Sequence, residues 1–237
     1  MVIGGDGSPL TQRELPRLAL LRARGSASGL RLGWKSLDDP AVDAPFPPAG
    51  ATRRTVEIWG HKLALPTGSD ESAAWLSQVL QEDAFLAYMP EDVERPVNPR
   101  YGSESDRTAL TDGYPLHLIG SGSMMDLNGR LASGIGVERF RPNVYVDGPA
   151  AFDEDQWAEI RIGELAFRVV KPCPRCAVTT VDPESGIRGK EPLATLATYR
   201  KTPDGVMFGQ NVIHESPGRI RVGDPVRVIS RRDTRAE

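Results

Sequence analysis

Both cysteines of this 237-residue chain lie three positions apart in the segment Lys171–Gly186. Arg175 precedes the second of them, so the motif reads Cys173-Pro-Arg-Cys176. A thiolate is a common protein ligand for a soft metal, and the planar guanidinium of arginine suits a phosphate. These residue types at this spacing therefore fit a site that holds a metal-bearing, phosphorylated cofactor.

A Cys-x-x-Cys pair can also serve a zinc site, a redox centre, a disulfide or the protein core. A zinc site needs two more ligands, but the three histidines, His61, His117 and His214, lie far apart in the sequence. A thioredoxin-like redox pair normally opens a helix, whereas the β-branched residues after Cys176 predict a strand over Ala177–Val181. A structural disulfide suits a secreted protein. Two buried, unreactive thiols remain an open alternative to a cofactor ligand.

A second candidate site lies where a predicted strand, Leu116–Ile119, runs into Gly120-Ser-Gly-Ser123. The sequence Ser123-Met-Met-Asp126 fits a capping box, which predicts a helix over 123–131. A Gly/Ser-rich turn before a helix exposes backbone N–H donors, so Ser121 and Ser123 are candidate contacts for an anion. Most such turns bind only water, and that alternative stays open.

The run Phe140-Arg-Pro-Asn-Val-Tyr-Val146 is a third candidate. Pro142 lacks the N–H that a sheet ladder needs, so the predicted strand begins there or lies at a sheet edge. Arg141 and Asn143 alternate by two, which would place both side chains on one face of that strand. Arginine can bind a phosphate and asparagine can pair with an amide edge, although a solvated strand end would look the same.

The wider sequence resembles the MOSC family of molybdenum-cofactor proteins, in particular the branch of the mitochondrial amidoxime-reducing components and their bacterial relatives. The resemblance covers nearly the whole chain, and the run around Cys176 is its most specific part. The matching segments are Asp112–Leu118, Ser123 with Asp126–Asn128, Phe140–Val144, Glu154–Trp157 with Ile162-Gly163, Arg175–Gly186, Lys190–Leu193, Leu196–Arg200, Phe208–Gln210 and Gly218–Val226.

The resemblance implies a mainly β (α+β) fold, with a MOSC-type β-barrel domain over 96–237 and a smaller, partial MOSC N-terminal β-barrel-like module over 1–95. The 24 glycines and 20 prolines suit short strands joined by turns, and 89–108 is predicted to be the linking loop. In the family, a segment whose Lys, Ser and Arg help to hold the cofactor precedes the first hairpin. We therefore expect either a start upstream of Met1 or a shortened relative that binds the cofactor weakly.

The resemblance also implies a function. The cysteine of the Arg-Cys pair, here Cys176, is expected to coordinate molybdenum and to be the catalytic residue, while Cys173 is expected to be structural. The expected molybdopterin contacts are Arg141, Asn143, Arg175, Ser121 and Ser123. The implied reaction is the reduction of an N-hydroxylated small molecule, with electrons from a separate ferredoxin-like, flavin reductase or cytochrome b5-like protein. A non-catalytic carrier of the cofactor or of sulfur, and a degenerate relative without cofactor, are the alternatives.

Several further elements are predicted around these residues. Met1–Ile3 is expected to be a strand, and Ser69–Leu80 a core-packing helix with Ser69 or Asp70 as its cap. His117, in its apolar strand, is expected to be packed and hydrogen-bonded. Also predicted are strands at 16–20, 55–59, 206–213 and 220–229, a hairpin over 159–170 that turns at Gly163-Glu164, a helix over 191–200 and a loop over 39–50.

Composition narrows the class of partner. The net charge of −3 and a pI near 5.7 do not indicate a nucleic-acid-binding surface. The sequence contains no apolar run of about 18 residues that would predict a membrane span. It also shows no basic and apolar start typical of a signal peptide. Together with free cysteines, these features predict a cytoplasmic protein.

Overall fold

A computed structural model of the chain describes residues 1–36 and 41–232. The chain divides into two compact units. The first contains Met1–Arg95 and the inserted segment Val181–Gly189, and the second contains Pro96–Thr180 and the chain from Lys190 onward. Strands dominate both units and helices are few, so the fold is mainly β, as the sequence predicted.

The first unit consists of three small antiparallel sheets and one α-helix. Strand β1 pairs with β7, β2 pairs with β3 and β3 with β4, and β5 pairs with β6. The core of this unit includes Leu32, Leu76 and Leu80, which are almost fully buried. The elements are β1 Val2–Gly4, β2 Leu21–Gly25, β3 Gly29–Trp34, β4 Ala41–Pro45, β5 Arg53–Ile58, β6 His61–Pro66, α1 Asp70–Leu80 and β7 Ala84–Leu86.

Several predictions in this unit are confirmed. Helix α1 begins after Ser69, whose side-chain oxygen accepts a hydrogen bond from Ser72 N at 3.2 Å, so Ser69 is the cap. Acidic residues follow in the first turn, where the helix dipole favours them. Strand β1 overlaps the predicted Met1–Ile3 run, and in β5 the alternating Val56 and Ile58 are buried as expected.

Two predictions in this unit were wrong. The segment Pro16–Leu20 is a 3-10 helix rather than a strand, and the strand begins only at Leu21. Proline in the first turn explains this, because its fixed φ suits a helix start and it cannot donate to a sheet ladder. The predicted loop over 39–50 contains strand β4, Ala41–Pro45; its first two residues lie outside the described part of the chain.

The second unit is built on one seven-stranded sheet with the order β14-β10-β11-β13-β8-β9, and β12 pairs with β13. This sheet forms half a barrel around buried residues that include Leu118, Trp157, Ile160 and Val212. The elements are β8 Leu116–Gly120, α2 Ser121–Arg130, β9 Val144–Val146, β10 Trp157–Ile162, β11 Leu165–Arg175, α3 Leu193–Ala197, β12 Lys201–Thr202, β13 Gly205–His214 and β14 Val226–Arg231, with 3-10 helices at Val137–Phe140, Asp153–Gln156 and Ala177–Thr180.

The hairpin predicted over 159–170 is confirmed: β10 and β11 pair in antiparallel register and turn at Gly163, whose φ is +57°. Strand β11 continues five residues beyond the predicted end, to Arg175, and so delivers the Cys173 side of the motif as part of the sheet. Strand β13 covers the predicted 206–213. The domain boundary predicted near residue 95 stays a prediction.

Three elements of the second unit differ from the prediction. Ala177–Thr180 is a 3-10 helix, not a strand. The last strand begins at Val226 rather than 220, because residues 221–224 form a turn in which Asp224 N donates to Arg221 O and Pro225 follows without a donor. Helix α3 is shorter than the predicted 191–200, because the chain turns into β12 at Lys201.

None of the helices in the two described stretches, 1–36 and 41–232, is long and apolar enough to cross a membrane.

Candidate functional site

Arg175 is the centre of a small polar cluster at the end of β11. Its Nη1 donates to His117 Nε2 at 3.0 Å and to Cys173 Sγ at 3.0 Å, while its Nη2 donates to Phe140 O at 2.9 Å. We call Arg175, His117, Cys173 and Phe140 the arginine cluster. The strand order β11-β13-β8 brings His117, 58 positions away, to the guanidinium, and Phe140, 35 positions away, reaches it from the end of the 3-10 helix Val137–Phe140.

His117 is a buried member of this cluster, with 9% of its surface exposed. Burial, and then the positive charge of Arg175, lower the pKa of His117 to about 3. The imidazole is therefore neutral near pH 7, and a neutral imidazole nitrogen can accept a hydrogen bond from a guanidinium. The prediction that His117 is packed and hydrogen-bonded agrees with its burial and its contacts. No local feature of the sequence predicted that Arg175 would be its partner.

The two cysteines have different surroundings, and both are free thiols. Burial raises the pKa of Cys173, although the charge and the hydrogen bond of Arg175 oppose that shift. The negative charge of Asp112 also raises the pKa of Cys173. The sequence did not predict an interaction between these two residues. Cys176 follows the last residue of β11 and is partly exposed. Both cysteines are partly exposed; Cys173 is bound by Arg175 within β11, whereas Cys176 lies where the chain leaves the sheet.

The backbone after Cys176 turns because two hydroxyl groups bond back to it. Thr179 N and Thr179 Oγ1 both donate to Cys176 O, and Thr180 Oγ1 donates to Ala177 O at 2.7 Å. These local bonds override the β-propensity on which the predicted strand rested. The resulting 3-10 helix packs against the one at Val137–Phe140. The Phe140-Arg141 step therefore lies beside the cysteine segment.

Arg141 and Asn143 are not on one face of a strand, because β9 begins only at Val144. Arg141 caps the preceding 3-10 helix with a left-handed φ of +53°, and its side chain is exposed. Asn143 Oδ1 accepts from His117 N at 2.9 Å, and Asn143 N donates to His117 O at 2.8 Å. Asn143 therefore clamps the start of β8 beside the arginine cluster. The prediction that Pro142 precedes an edge strand agrees with the position of β9.

Ser121 and Ser123 lie at the other end of β8, about 13 Å of strand away from His117. Helix α2 begins at Ser121 with Gly120 as its N-cap, so the predicted capping box with Ser123 as cap is wrong. Ser123 is fully buried: its Oγ donates to Glu154 Oε1 at 2.7 Å and accepts from Phe152 N at 2.8 Å. The buried carboxylate of Glu154 also accepts from the N–H of Gly120, the N-cap residue of α2, and so binds the start of this helix.

Ser121 is also occupied, because its Oγ accepts from Gly148 N at 3.0 Å and only 7% of the residue is exposed. The structure thus brings together Arg175, Asn143 and Cys173, with Arg141 and Cys176 next to them in sequence. Neither Ser121 nor Ser123 makes a hydrogen bond to any of these residues; their hydroxyls bond instead to Gly148, Phe152 and Glu154. Among the residues that the structure describes, no group of three or more His, Cys, Asp or Glu side chains could hold a metal ion by itself.

Comparison with known proteins identifies the family. The model of the MOSC domain matches residues 105–227, and the model of the MOSC N-terminal beta barrel domain matches residues 1–83. The chain belongs to the MOSC family. The cysteines, the arginine cluster and Ser121 all lie within the part that the MOSC domain model matches.

Curated relatives extend this similarity over almost the whole chain. Mitochondrial amidoxime reducing component 2 of Rattus norvegicus is 34% identical over 95% of this chain and 71% of its own length. Mitochondrial amidoxime-reducing component 1 of Homo sapiens is 31% identical over 97% and 72%, and that of Danio rerio is 34% identical over 97% and 73%. A solved protein of Bordetella bronchiseptica covers 40% of this chain and 75% of itself with 20% identity and a TM-score of 0.33, which is too low to support an argument.

Proposed function

We propose that this protein is a molybdenum-cofactor-binding oxidoreductase that reduces N-hydroxylated small molecules, with Cys176 as the protein ligand of the metal. The observation that carries the proposal is the difference between the two thiols. Arg175 holds Cys173 Sγ inside the arginine cluster, whereas Cys176 follows the end of β11 in the Arg-Cys pair of the MOSC resemblance. The relatives named as amidoxime-reducing components support the class of reaction.

The donor set of the chain fits such a cofactor. The described residues contain no cluster of three metal-binding side chains, so they do not suit an ion that needs an all-protein cage. A metal that arrives with ligands of its own cofactor needs only one soft ligand from the protein, and a thiolate is such a ligand. When bound, the molybdenum cofactor would supply the two-electron chemistry that breaks the N–O bond; the protein binds and orients it.

The other residues divide into contacts and supports. Arg141 is exposed beside the cysteine segment and is proposed to bind the phosphate of the cofactor. Asn143 uses its Oδ1 on β8, which leaves its amide N–H₂ as a donor for the pterin edge. Arg175 spends three of its five guanidinium N–H groups on protein acceptors, which leaves one N–H on Nη2 and the Nε–H for a ligand. We do not propose Ser121 or Ser123 as cofactor contacts, because their buried hydroxyls make hydrogen bonds within the protein.

Electrons are proposed to come from a separate protein, of the ferredoxin-like, flavin reductase or cytochrome b5-like kind. A separate donor means that the purified chain should turn over with an artificial reductant but not by itself. The relatives are named for mitochondria, and the cytoplasmic location suggested by composition stays a prediction.

Turnover separates an enzyme from a carrier. The chain, produced in a host that makes the cofactor, should reduce an amidoxime when a reduced viologen dye supplies electrons. Cys176→Ala should abolish this activity, whereas Arg161→Ala, an exposed position on β10, should leave it unchanged. If the protein contains molybdenum but reduces no N-hydroxylated compound, the carrier alternative takes the place of the proposed enzyme. Equal turnover in wild type and Cys176→Ala would contradict the proposed ligand.

Arg141 can be tested by cofactor occupancy. Loss of a charge-assisted hydrogen bond should weaken cofactor binding on the order of tenfold in Arg141→Ala. Arg161→Ala is again the matched control, because it removes the same charge from a distant exposed strand position. Equal occupancy of all three proteins at limiting cofactor would remove Arg141 from the binding site.

A further inference from the structure

His117 and Arg175 meet through one nitrogen each, and this contact determines which protons the two side chains carry. A guanidinium has N–H donors and no acceptor, so Nη1 donates in both of its contacts. One of the two Nη1 hydrogens is directed to Cys173 Sγ and the other to His117 Nε2, each over 3.0 Å. A nitrogen that accepts must present its lone pair, so His117 has to carry its single proton on Nδ1.

We propose that His117 is a positioning residue that acts as a hydrogen-bond acceptor for Arg175, fixing the guanidinium between Cys173 and Phe140. In this role His117 fixes the position of the Arg175 side chain and does not contact the substrate. Its consequence for cofactor retention rests on the proposed function, whereas its consequence for the proton on His117 does not.

The surroundings of His117 leave room for the contact between Nε2 and Arg175, while Nδ1 is buried and has no hydrogen-bond partner among the described residues. A Cβ at position 209 would lie 2.5 Å from His117 Nε2, so the glycine there leaves the room in which the ring and Arg175 meet. Asn143 fixes the backbone of His117 from the other side through two hydrogen bonds, of 2.9 and 2.8 Å. The carbonyl of Phe208 lies 3.3 Å from the same Nε2, and it would be the natural acceptor if that nitrogen carried the proton.

Arg175 and Phe208 O both lie near His117 Nε2, and a hydrogen bond to each requires a different tautomer of the ring. If His117 accepts from Arg175, Nε2 is unprotonated and cannot donate a hydrogen bond to Phe208 O. If His117 is an ordinary core histidine, Nε2 carries the proton and donates to Phe208 O, which is also the tautomer that predominates for neutral histidine in water. A core-packing role alone therefore predicts the opposite protonation pattern from a positioning role.

The contact also limits what Arg175 can offer to a ligand. Three of the five guanidinium N–H groups are engaged, so one N–H on Nη2 and the Nε–H remain; Nε is buried and has no acceptor among the described residues. A buried unsatisfied donor is costly and rare in native proteins. His117 and Cys173 together occupy Nη1, so a ligand contact of Arg175 has to use Nη2 or Nε.

The first test is the tautomer of His117, read from long-range proton–nitrogen NMR correlations of the full chain labelled with ¹⁵N and prepared without cofactor. The expected result is a neutral ring with Nδ1 protonated and Nε2 unprotonated. In Arg175→Met the ring should change to the Nε2-protonated form, because Phe208 O becomes the nearest acceptor. An Nε2-protonated ring in the wild type would overturn the proposal even if the variant fails to fold, and an unchanged tautomer in a folded variant would do the same.

The second test compares two substitutions of similar size at position 117. His117→Gln can place a carbonyl oxygen near the position of Nε2 and so keeps an acceptor, whereas His117→Met keeps bulk without a comparable acceptor. Molybdenum release during dialysis should be about as slow in the glutamine variant as in the wild type, and on the order of tenfold faster in the methionine variant. Equal release from both variants would overturn the positioning role.

The two tests fail separately. A wild-type protein that carries no molybdenum would contradict the proposed function, while the tautomer measurement would still decide the role of His117. A wild type with molybdenum but with Nε2 protonated would leave the proposed function intact and remove this inference.

Discussion

Arg175 Nη1 lies 3.0 Å from Cys173 Sγ, so the guanidinium binds the cysteine two positions before it and not the adjacent Cys176. Cys173 is partly exposed, and partial burial of its thiol raises the pKa although Arg175 opposes that shift. Cys176 comes one residue after the arginine, where β11 has ended and the chain turns into a 3-10 helix. The guanidinium thus binds the thiol of Cys173, which is expected to be structural, and leaves the thiol of Cys176 as the candidate metal ligand.

Ser123→Ala tests whether Ser123 serves the fold rather than a ligand. The change removes the donor to Glu154 Oε1 and the acceptor for Phe152 N, so the free energy of unfolding should fall by about 1–3 kcal/mol. Molybdenum content should stay at the wild-type level. Urea titration and elemental analysis measure the two effects, with Ser230→Ala on the edge strand β14 as a control. Full stability with lost metal would make Ser123 a cofactor contact after all.

Gly209→Ala tests the space in which His117 lies. The new Cβ would be 2.5 Å from His117 Nε2 and 2.6 Å from Leu118 O, at a φ of +73° that alanine disfavours. The expected loss of stability is about 1–3 kcal/mol from strain, with a further loss from the close contacts. Gly148→Ala is the matched control, because φ there is +98° but no described atom lies within 4 Å of the new Cβ. Equal losses in urea titrations of the two variants would show that the contact with His117 does not matter.

Asp106 makes the stability of the second unit depend on pH. Burial would raise the pKa of Asp106, but hydrogen bonds from Arg168 and Ser103 outweigh it and hold the pKa below the ordinary 3.8. Since the folded state favours the ionised carboxylate, the stabilisation is fully present above pH 3.8 and is lost as the pH falls below it.

Asp106→Asn should therefore lower the free energy of unfolding by about 1–2 kcal/mol at pH 7, because Arg168 Nη2 loses a charged partner at 2.7 Å. At pH 3 the difference from wild type should shrink. Urea titrations at both pH values measure this, with Asp204→Asn in the exposed turn before β13 as the control. A difference that is as large at pH 3 as at pH 7 would refute the linkage.

The sequence predicted elements with local signals and missed those decided by distant partners. Ser69 and the apolar stripe of α1 act within one helix, and Gly163 marks its own hairpin, so these predictions held. The strand expected over Ala177–Val181 failed because the Thr179 and Thr180 hydroxyls bond back to the chain, a preference that β-propensity does not contain.

The candidate site was predictable only in part for the same reason. Arg175 and Cys176 are adjacent in sequence, so their motif could be read directly. The partners of Arg175 come from β8 and from the end of a 3-10 helix, and nothing local to His117 or Phe140 points to a guanidinium. Ser123 bonds to Glu154 instead of capping α2, because a carboxylate 31 positions away reaches the first turn of this helix.

Molybdenum content of matched cysteine variants tests the central claim most directly. Wild type, Cys173→Ala and Cys176→Ala should be produced side by side in a host that makes the cofactor, purified identically and measured by elemental analysis per mole of folded protein. We predict that wild type and Cys173→Ala carry comparable molybdenum and that Cys176→Ala carries almost none. Molybdenum retained in Cys176→Ala but lost in Cys173→Ala, or absent from the wild type, would contradict the account.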